Sequence, residues 1–266
     1  MKLSFSALTD TGNVRENNED CWGIFDLNTS AKIENIACSI ESEEKGQLFI
    51  VCDGMGGHNA GEIASNLAIN SVSSKILDFT RNQDLNASEI EKFLVKSAKL
   101  THQEIIDEAR NDRSRKNMGT TLIGTWIHDN KAYLMNIGDS RLYLERNNKL
   151  EQISHDQSPV GEMLKNEIIS KEEAFTHHLK NYVDQALGGG LDAVSPEILS
   201  FDLKKGDFIL LCSDGLNDSL QDDQIQETIQ TNRNATPREI CQMLVNNAKD
   251  ANGSDNITVI CCKVDE

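Results

Sequence analysis

The sequence predicts an α+β fold, a four-layer α/β/β/α sandwich in which two central, mainly antiparallel sheets are flanked by helix pairs. Two observations carry this. Short strand-like runs are segregated from helical stretches instead of alternating with them, and the helical stretches fall in two blocks. A third observation sets the domain count. Only three prolines occur, and no Ser/Gly/Pro-rich stretch is long enough for a linker, so residues 1–266 read as a single domain.

The first strand-like runs are 21–27 and 48–52. The segment between them, 28–46, is longer than a short connection and reads as an extended hairpin. Ile69, Val72, Ile76 and Phe79 then recur at helical spacing. Ser88 and Glu91 form an S-x-x-E capping box ahead of Ile90, Leu94, Ala98, Ile105 and Ala109. Strands follow at 120–127, 132–137 and 141–145, the first two joined by a polar turn, His128-Asp129-Asn130-Lys131. Residues 158–181 have mixed polarity and little periodicity, an irregular excursion. The run 208–212 is apolar throughout, as expected for a strand covered on both faces. Ile225 and Ile229 mark a short helix. Thr236-Pro237-Arg238-Glu239 opens the next, with Ile240 and Leu244 on its stripe, and a last strand covers 257–264.

Composition narrows the function. The chain carries 43 acidic against 26 basic residues, a net charge of −17, which repels nucleic acid and anionic membranes. Its seven cysteines lack CxxC spacing, which fits a reducing compartment better than a disulfide framework. The N-terminus has no apolar signal core, and no apolar segment approaches 18 residues. A soluble, cytoplasmic protein is the expectation.

The chemistry sits where strands end. Asp53-Gly54, Gly138-Asp139 and Asp214-Gly215 each follow an apolar run, and Asp255 precedes one. A single Asp-Gly is an ordinary turn. Four such carboxylates around one core can converge on a sheet edge, where their repulsion calls for bound cations. Hard oxygen donors favour Mg²⁺ or Mn²⁺ over zinc. Glu19-Asp20 also lead into a strand, and Arg15 supplies a planar fork suited to phosphate oxygens.

These residues stand in an ordered series. Residues 11–20 (TGNVRENNED) resemble the first motif of the type-2C protein phosphatases. Asp53-Gly54-Met55-Gly56-Gly57-His58 with Gly61-Glu62 resembles the bacterial form of the second. Gly119-Thr120-Thr121, Gly138-Asp139-Ser140-Arg141, Ala186-Leu187-Gly188, Ser213-Asp214-Gly215-Leu216 and Asp255-Asn256-Ile257-Thr258 match later motifs in order. The resemblance implies metal-dependent hydrolysis of phosphoserine and phosphothreonine in proteins, opposing a Ser/Thr kinase; a monomer is the expectation. It implies that Asp53 bridges two Mn²⁺ or Mg²⁺ ions, with the Gly54 carbonyl on one and Asp214 and Asp255 on the other. Glu19 and Asp20 would hold the waters on the metals, and Arg15 the substrate phosphate. Asp139 with Asp214 would take a third, weaker ion. His58 is a candidate proton donor, standing three residues beyond the place where eukaryotic relatives carry histidine and this chain has Met55. Residues 158–181 correspond to the flap beside the family's active site. Where relatives often read Thr-Arg-Ala-Leu-Gly, this chain has Asp184-Gln185-Ala186-Leu187-Gly188.

Rival chemistries lack their residues. There is no Cys-x₅-Arg, Asp-x-Asp or Asp-x-His pattern, no phosphate-binding G-x-x-x-x-G-K-[ST] loop and no G-x-S-x-G elbow. A phosphoprotein-binding pseudoenzyme on the same fold is the alternative from another class. It would have lost a metal carboxylate, and Asp53, Asp139, Asp214 and Asp255 are all present.

Overall fold

The structure, a computed structural model, describes residues 1–34, 38–41, 44–56, 60–81 and 86–265. In chain order it opens with β1 (Lys2–Asp10), β2 (Cys21–Asp26), β3 (Ala31–Lys32), β4 (Cys38–Glu41), β5 (Gln47–Cys52) and β6 (Gly54–Met55). Two long helices follow, α1 (Ala60–Thr80) and α2 (Ala87–Asn111). Next come β7 (Gly119–Thr120), β8 (Leu122–His128), β9 (Lys131–Ile137), β10 (Arg141–Arg146) and β11 (Lys149–Gln152). The short helices α3 (Pro159–Lys165) and α4 (Lys171–Phe175) precede β12 (Leu187–Gly188), β13 (Glu197–Asp202) and β14 (Phe208–Cys212). The chain closes with α5 (Asp214–Asn217), α6 (Asp222–Thr231), α7 (Pro237–Ala251) and β15 (Ile257–Val264).

The predicted four layers are present. One six-stranded sheet runs β11-β10-β14-β15-β1-β4, the other β13-β9-β8-β5-β2-β3, and the strand pairings are antiparallel. Because side chains alternate along a strand, each sheet has two apolar faces to cover. Phe5, Phe49, Val51, Ile209, Leu211 and Ile260 fill the space between the sheets. Ile50, Leu48, Trp126 and Met135 face the other way, onto Ile69, Val72, Ile90 and Leu94 of α1 and α2. Leu210, Cys212 and Val259 face Ile225, Ile229, Ile240 and Leu244 of α6 and α7.

Local signals explain most elements. The β8–β9 turn places Asp129 and Asn130 at positive φ (46° and 58°), the conformation that two-residue hairpins need. Helix α7 starts as expected, with Thr236 and Glu239 in a reciprocal capping box and Pro237 in the first turn.

Three expectations change. The α2 cap is Asn86, whose side chain accepts from the Glu89 N–H, so the Ser88–Glu91 box is not used. The 158–181 excursion is partly regular, with α3 capped by Ser158 and α4 by a Ser170–Glu173 box. The 28–46 segment is not one hairpin: β3 pairs with β2, whereas β4 joins β1 in the opposite sheet. Among the described residues, no helix is long and apolar enough to cross a membrane.

Candidate metal centre

The sandwich delivers its acids to one rim. Strand β5 is buried along its whole length and ends at Asp53. Strand β14 is likewise buried and ends at Ser213 and Asp214. The two strands belong to different sheets, and their terminal carboxylates come near enough for each to shift the other's titration. The remaining acids flank this pair.

The backbone around Asp53 is fixed from the β7 side. The Asp53 N–H donates to Thr121 Oγ1 (2.9 Å), and the Asp53 carbonyl accepts from Thr120 Oγ1 (2.8 Å) and the Thr121 N–H (2.8 Å). Thr121 Oγ1 is in turn 2.7 Å from Ser140 Oγ, next to Asp139. Gly54 has no room for a side chain. A Cβ there would lie 2.2 Å from the Gly61 carbonyl oxygen and 2.5 Å from that of Glu19. The absent side chain lets the β6 backbone close against the start of α1, and the Gly54 N–H donates to the Glu19 carbonyl (3.2 Å).

Glu19 and Asp20 reach the same rim from the start of β2. The Glu19 N–H donates to Asn256 Oδ1 (2.8 Å), while Asn256 Nδ2 donates to the carbonyls of Thr11 (3.0 Å) and Asn17 (2.9 Å). Asn256 thus staples the 11–19 loop to the residue after Asp255. Asp20 is 8% exposed; its Oδ2 accepts from Ser213 Oγ (2.7 Å) and its Oδ1 has no partner. Asp214 Oδ1 is also buried without a partner.

Arg15 lies at the exposed mouth, with its guanidinium donating to Asp255 Oδ2 at 2.7 Å. That contact raises the pKa of Arg15 further, so it is a permanent cation. Asp139, 7% exposed, completes the rim beside Arg141, which clasps Asp156 through Nε and Nη2 (3.0 and 2.7 Å). A cavity of about 300 Å³ opens beside Asp139 and Asp214. Its other walls include Val160, Leu164 and Phe175 of the 158–181 excursion.

Electrostatics mark the rim as a place of unmet demand. Burial, then the neighbouring acids, drives Asp53 and Asp139 well above the usual carboxylate range. Burial pushes Asp214 up to about 7, helped by Asp218 and Asp255. It pushes Asp20 up to about 6 against the opposing hydrogen bond from Ser213. Glu19 is raised by burial as well. Four carboxylates gathered together, Asp20 and Asp139 buried and Asp53 and Asp214 half-buried, disfavour their own ionisation, and a multivalent cation is the group that reverses this.

The donor set fits Mg²⁺ or Mn²⁺. All the candidate donors are oxygens, and two of them are buried without a partner. Among the described residues, no three His, Cys, Asp or Glu side chains close around a single point.

The rim thus gathers Arg15, Glu19, Asp20, Asp53, Gly54, Asp139, Asp214 and Asp255, while His58 lies outside the described residues. Ser213, Asn256, Thr121 and Ser140 are positioning groups that the sequence reading quoted within motifs without giving them roles. Their polar, short side chains inside motifs otherwise explained by acids and glycines were the available signal. The substituted 184–188 segment is held in its own way, with Gln185 Oε1 accepting from the Ser195 N–H (2.9 Å).

Comparison with known proteins agrees with this geometry. The family described as Protein phosphatase 2C matches residues 37–252. The serine/threonine phosphatase stp of Listeria innocua is 35% identical over 253 residues, covering 95% of this chain and 92% of that protein. The S. agalactiae serine/threonine phosphatase structure superposes with a TM-score of 0.83 at 29% identity, covering 99% of this chain and all of that one. The catalytic domain of the phosphatase PstP, solved in complex with 2 manganese ions, gives a TM-score of 0.78 at 30% identity, over 100% and 99% of the two chains. With the acid-lined rim, the two-sheet frame and these likenesses in agreement, the chain belongs to the protein phosphatase 2C family.

Proposed function

We propose that this chain is a metal-dependent protein-serine/threonine phosphatase that hydrolyses phosphoserine and phosphothreonine at the acidic rim. The observation that carries the reading is the convergence of the half-buried Asp53 and Asp214 from two different sheets, each raising the other's demand for a counter-charge, with buried Asp20 and Asp139 beside them. We assign Asp53, the Gly54 carbonyl, Asp214 and Asp255 to two divalent cations, with Glu19 beside them. Asp139 and Asp214 are assigned to a third, weaker site. When bound, Mn²⁺ or Mg²⁺ lowers the pKa of a water and offsets charge on the phosphoryl oxygens.

The chain's own groups supply the rest. Arg15, at the mouth and always charged, takes phosphate oxygens with its fork. Asp20 holds the attacking water through its buried, unpartnered Oδ1 and takes its proton. Thr120, Thr121 and Asn256 keep the Asp53 and Glu19 backbones from drifting as charge moves. Residues 158–181 form a flap that contributes to substrate choice, and His58 is a candidate donor to the leaving alkoxide. The unit acts as one catalytic domain, monomeric and cytoplasmic, on phosphoproteins made by a Ser/Thr kinase. A net charge of −17 supports the exclusion of nucleic acid and anionic membranes as partners.

The test is hydrolysis of a phosphothreonine peptide by wild-type protein and Asp53→Asn, with Mn²⁺, with Mg²⁺ and with EDTA. Turnover that needs metal and vanishes in Asp53→Asn supports the reading. Folded wild-type protein that binds Mn²⁺ and turns over nothing overturns it.

A further inference from the structure

Ser213 stands in a position that its local role does not explain. It is the N-cap of the short helix α5, the place where a serine side chain ordinarily accepts a backbone N–H, and it makes no such bond. Its hydroxyl is fully buried and used elsewhere. Ser213 Oγ donates to Asp20 Oδ2 at 2.7 Å and accepts the Thr258 N–H at 3.0 Å. The backbone answers in kind, with the Ser213 N–H donating to the Thr258 carbonyl at 3.0 Å.

The contact crosses the sandwich. Asp20 precedes β2 in one sheet, whereas Ser213 directly follows β14 and Thr258 lies in β15, both strands of the other. It also closes a ring. The Asp20 N–H donates to Asn18 Oδ1 (3.1 Å), Asn18 Nδ2 to Thr9 Oγ1 (2.8 Å), and Thr9 Oγ1 lies 2.7 Å from Thr258 Oγ1. Around that ring the Asp20 carboxylate has one oxygen held and one left over. The held oxygen, Oδ2, fixes the rotation of the group; the other, Oδ1, is buried and unpartnered. A carboxylate held by one edge points the other in a single direction. A freely turning one would spread it over many.

We propose that Ser213 is a positioning residue: its hydroxyl tethers Asp20 across the two sheets and so aims the free Asp20 oxygen into the carboxylate rim. The tether rests on the phosphatase reading for its consequence, because Asp20 is the group assigned to the attacking water. Ser213 touches neither substrate nor metal and acts only through Asp20. Losing a hydrogen-bond partner that orients a metal-site group typically costs 10–100-fold. Ser213→Ala is therefore expected to lower kcat by about 10–100-fold, with KM for a phosphothreonine peptide within about twofold of wild type.

The deciding experiment is a double-mutant cycle of Ser213→Ala with Asp20→Ala, read in two ways: kcat at saturating Mn²⁺, and Mn²⁺ affinity by calorimetry. If Ser213 acts through Asp20, Ser213→Ala changes neither quantity by more than about twofold once Asp20 is gone. Equal fold-losses with and without Asp20 would overturn the tether and leave Ser213 a packing residue, as would wild-type kcat in the single variant. Ser213→Cys keeps the size and weakens the donor. Should Ser213→Ala fail to fold, the same cycle with Ser213→Cys decides by the same criterion. If the wild-type protein proves to have no phosphatase activity, that reading fails by itself, and the calorimetric cycle still tests the tether.

Discussion

The middle of the sandwich and its acidic rim are built from the same strands, yet they spend stability in opposite directions. Halfway along β5 and β14, Phe49, Val51, Ile209 and Leu211 close the space between the sheets, and each buried apolar group stabilises the fold. Just past the strand ends, one residue beyond β5 and two beyond β14, Asp53 and Asp214 have been drawn partly out of water and toward each other. Nothing in folding requires that. The difference teaches where the function lies: the dry interior holds the two sheets at a fixed spacing, and that spacing holds together carboxylates that repel one another.

The largest expected effect comes from loosening the interior. Phe49 is fully buried and meets Phe5 edge to face, with ring centroids 5.3 Å apart. Phe49→Ala should destabilise the protein by about 3–5 kcal/mol, read as a lower urea midpoint at an unchanged slope. A smaller loss, under about 1 kcal/mol, would mean that the sheets are held by something other than their shared core.

The rim should respond to pH in the reverse sense from an ordinary acidic surface. Asp20 and Asp214 have folded-state pKa values near 6 and 7, above the unfolded carboxylate range near 4. A raised acid contributes stability that is full below about pH 4 and is lost as pH rises through the folded values. In EDTA the unfolding free energy should therefore fall between pH 5 and pH 8, by on the order of 3 kcal/mol, read as a falling melting temperature. Saturating Mn²⁺ should abolish most of that fall. A chelated protein whose stability is flat over this window would show that the rim carries no such strain.

How far the sequence reveals each region follows from how local its causes are. The strand-end acids are legible because an apolar run followed by Asp-Gly states both the strand and its stop within six residues. The helix α7 start is legible for the same reason. Strand β1 was not read, although Leu3, Phe5 and Ala7 alternate with Ser4 and Ser6. Alanine and serine are weak strand formers, and the partner that decides the matter is β15, at the far end of the chain. The α2 start was misplaced because Asn86 and Ser88 both offer caps, and the residue three beyond each is a glutamate. The partners of Ser213 and Asn256 lie at the far end of the chain, 193 residues away for Asp20 and 237 for Glu19. No window of sequence joins them.

Removing one acid separates the two regions directly. Asp214→Asn should cost at least about 100-fold in kcat/KM for a phosphopeptide, ~2.7 kcal/mol of transition-state stabilisation. The same change should raise the melting temperature in EDTA, because it removes a half-buried acid that Asp218 and Asp255 oppose. Loss of both activity and chelated stability would place Asp214 in the frame and not in the strained rim.

The smallest change probes the layer furthest in role from the acids. Thr236 caps α7 by accepting the Glu239 N–H (3.3 Å), and Glu239 Oε2 returns the contact to the Thr236 N–H (2.8 Å). Thr236→Ala should cost about 1 kcal/mol in a urea titration, since one exposed cap is lost and the apolar stripe of Ile240 and Leu244 stays seated. Activity at 25 °C should stay within experimental scatter, because the rim depends on sheet spacing, which one frayed helix end does not alter. A fall in kcat larger than the change in folded fraction would mean that α7 reaches the acids through β15, whose first residues follow Asp255. The helix layer would then be part of the active frame as well as its cover.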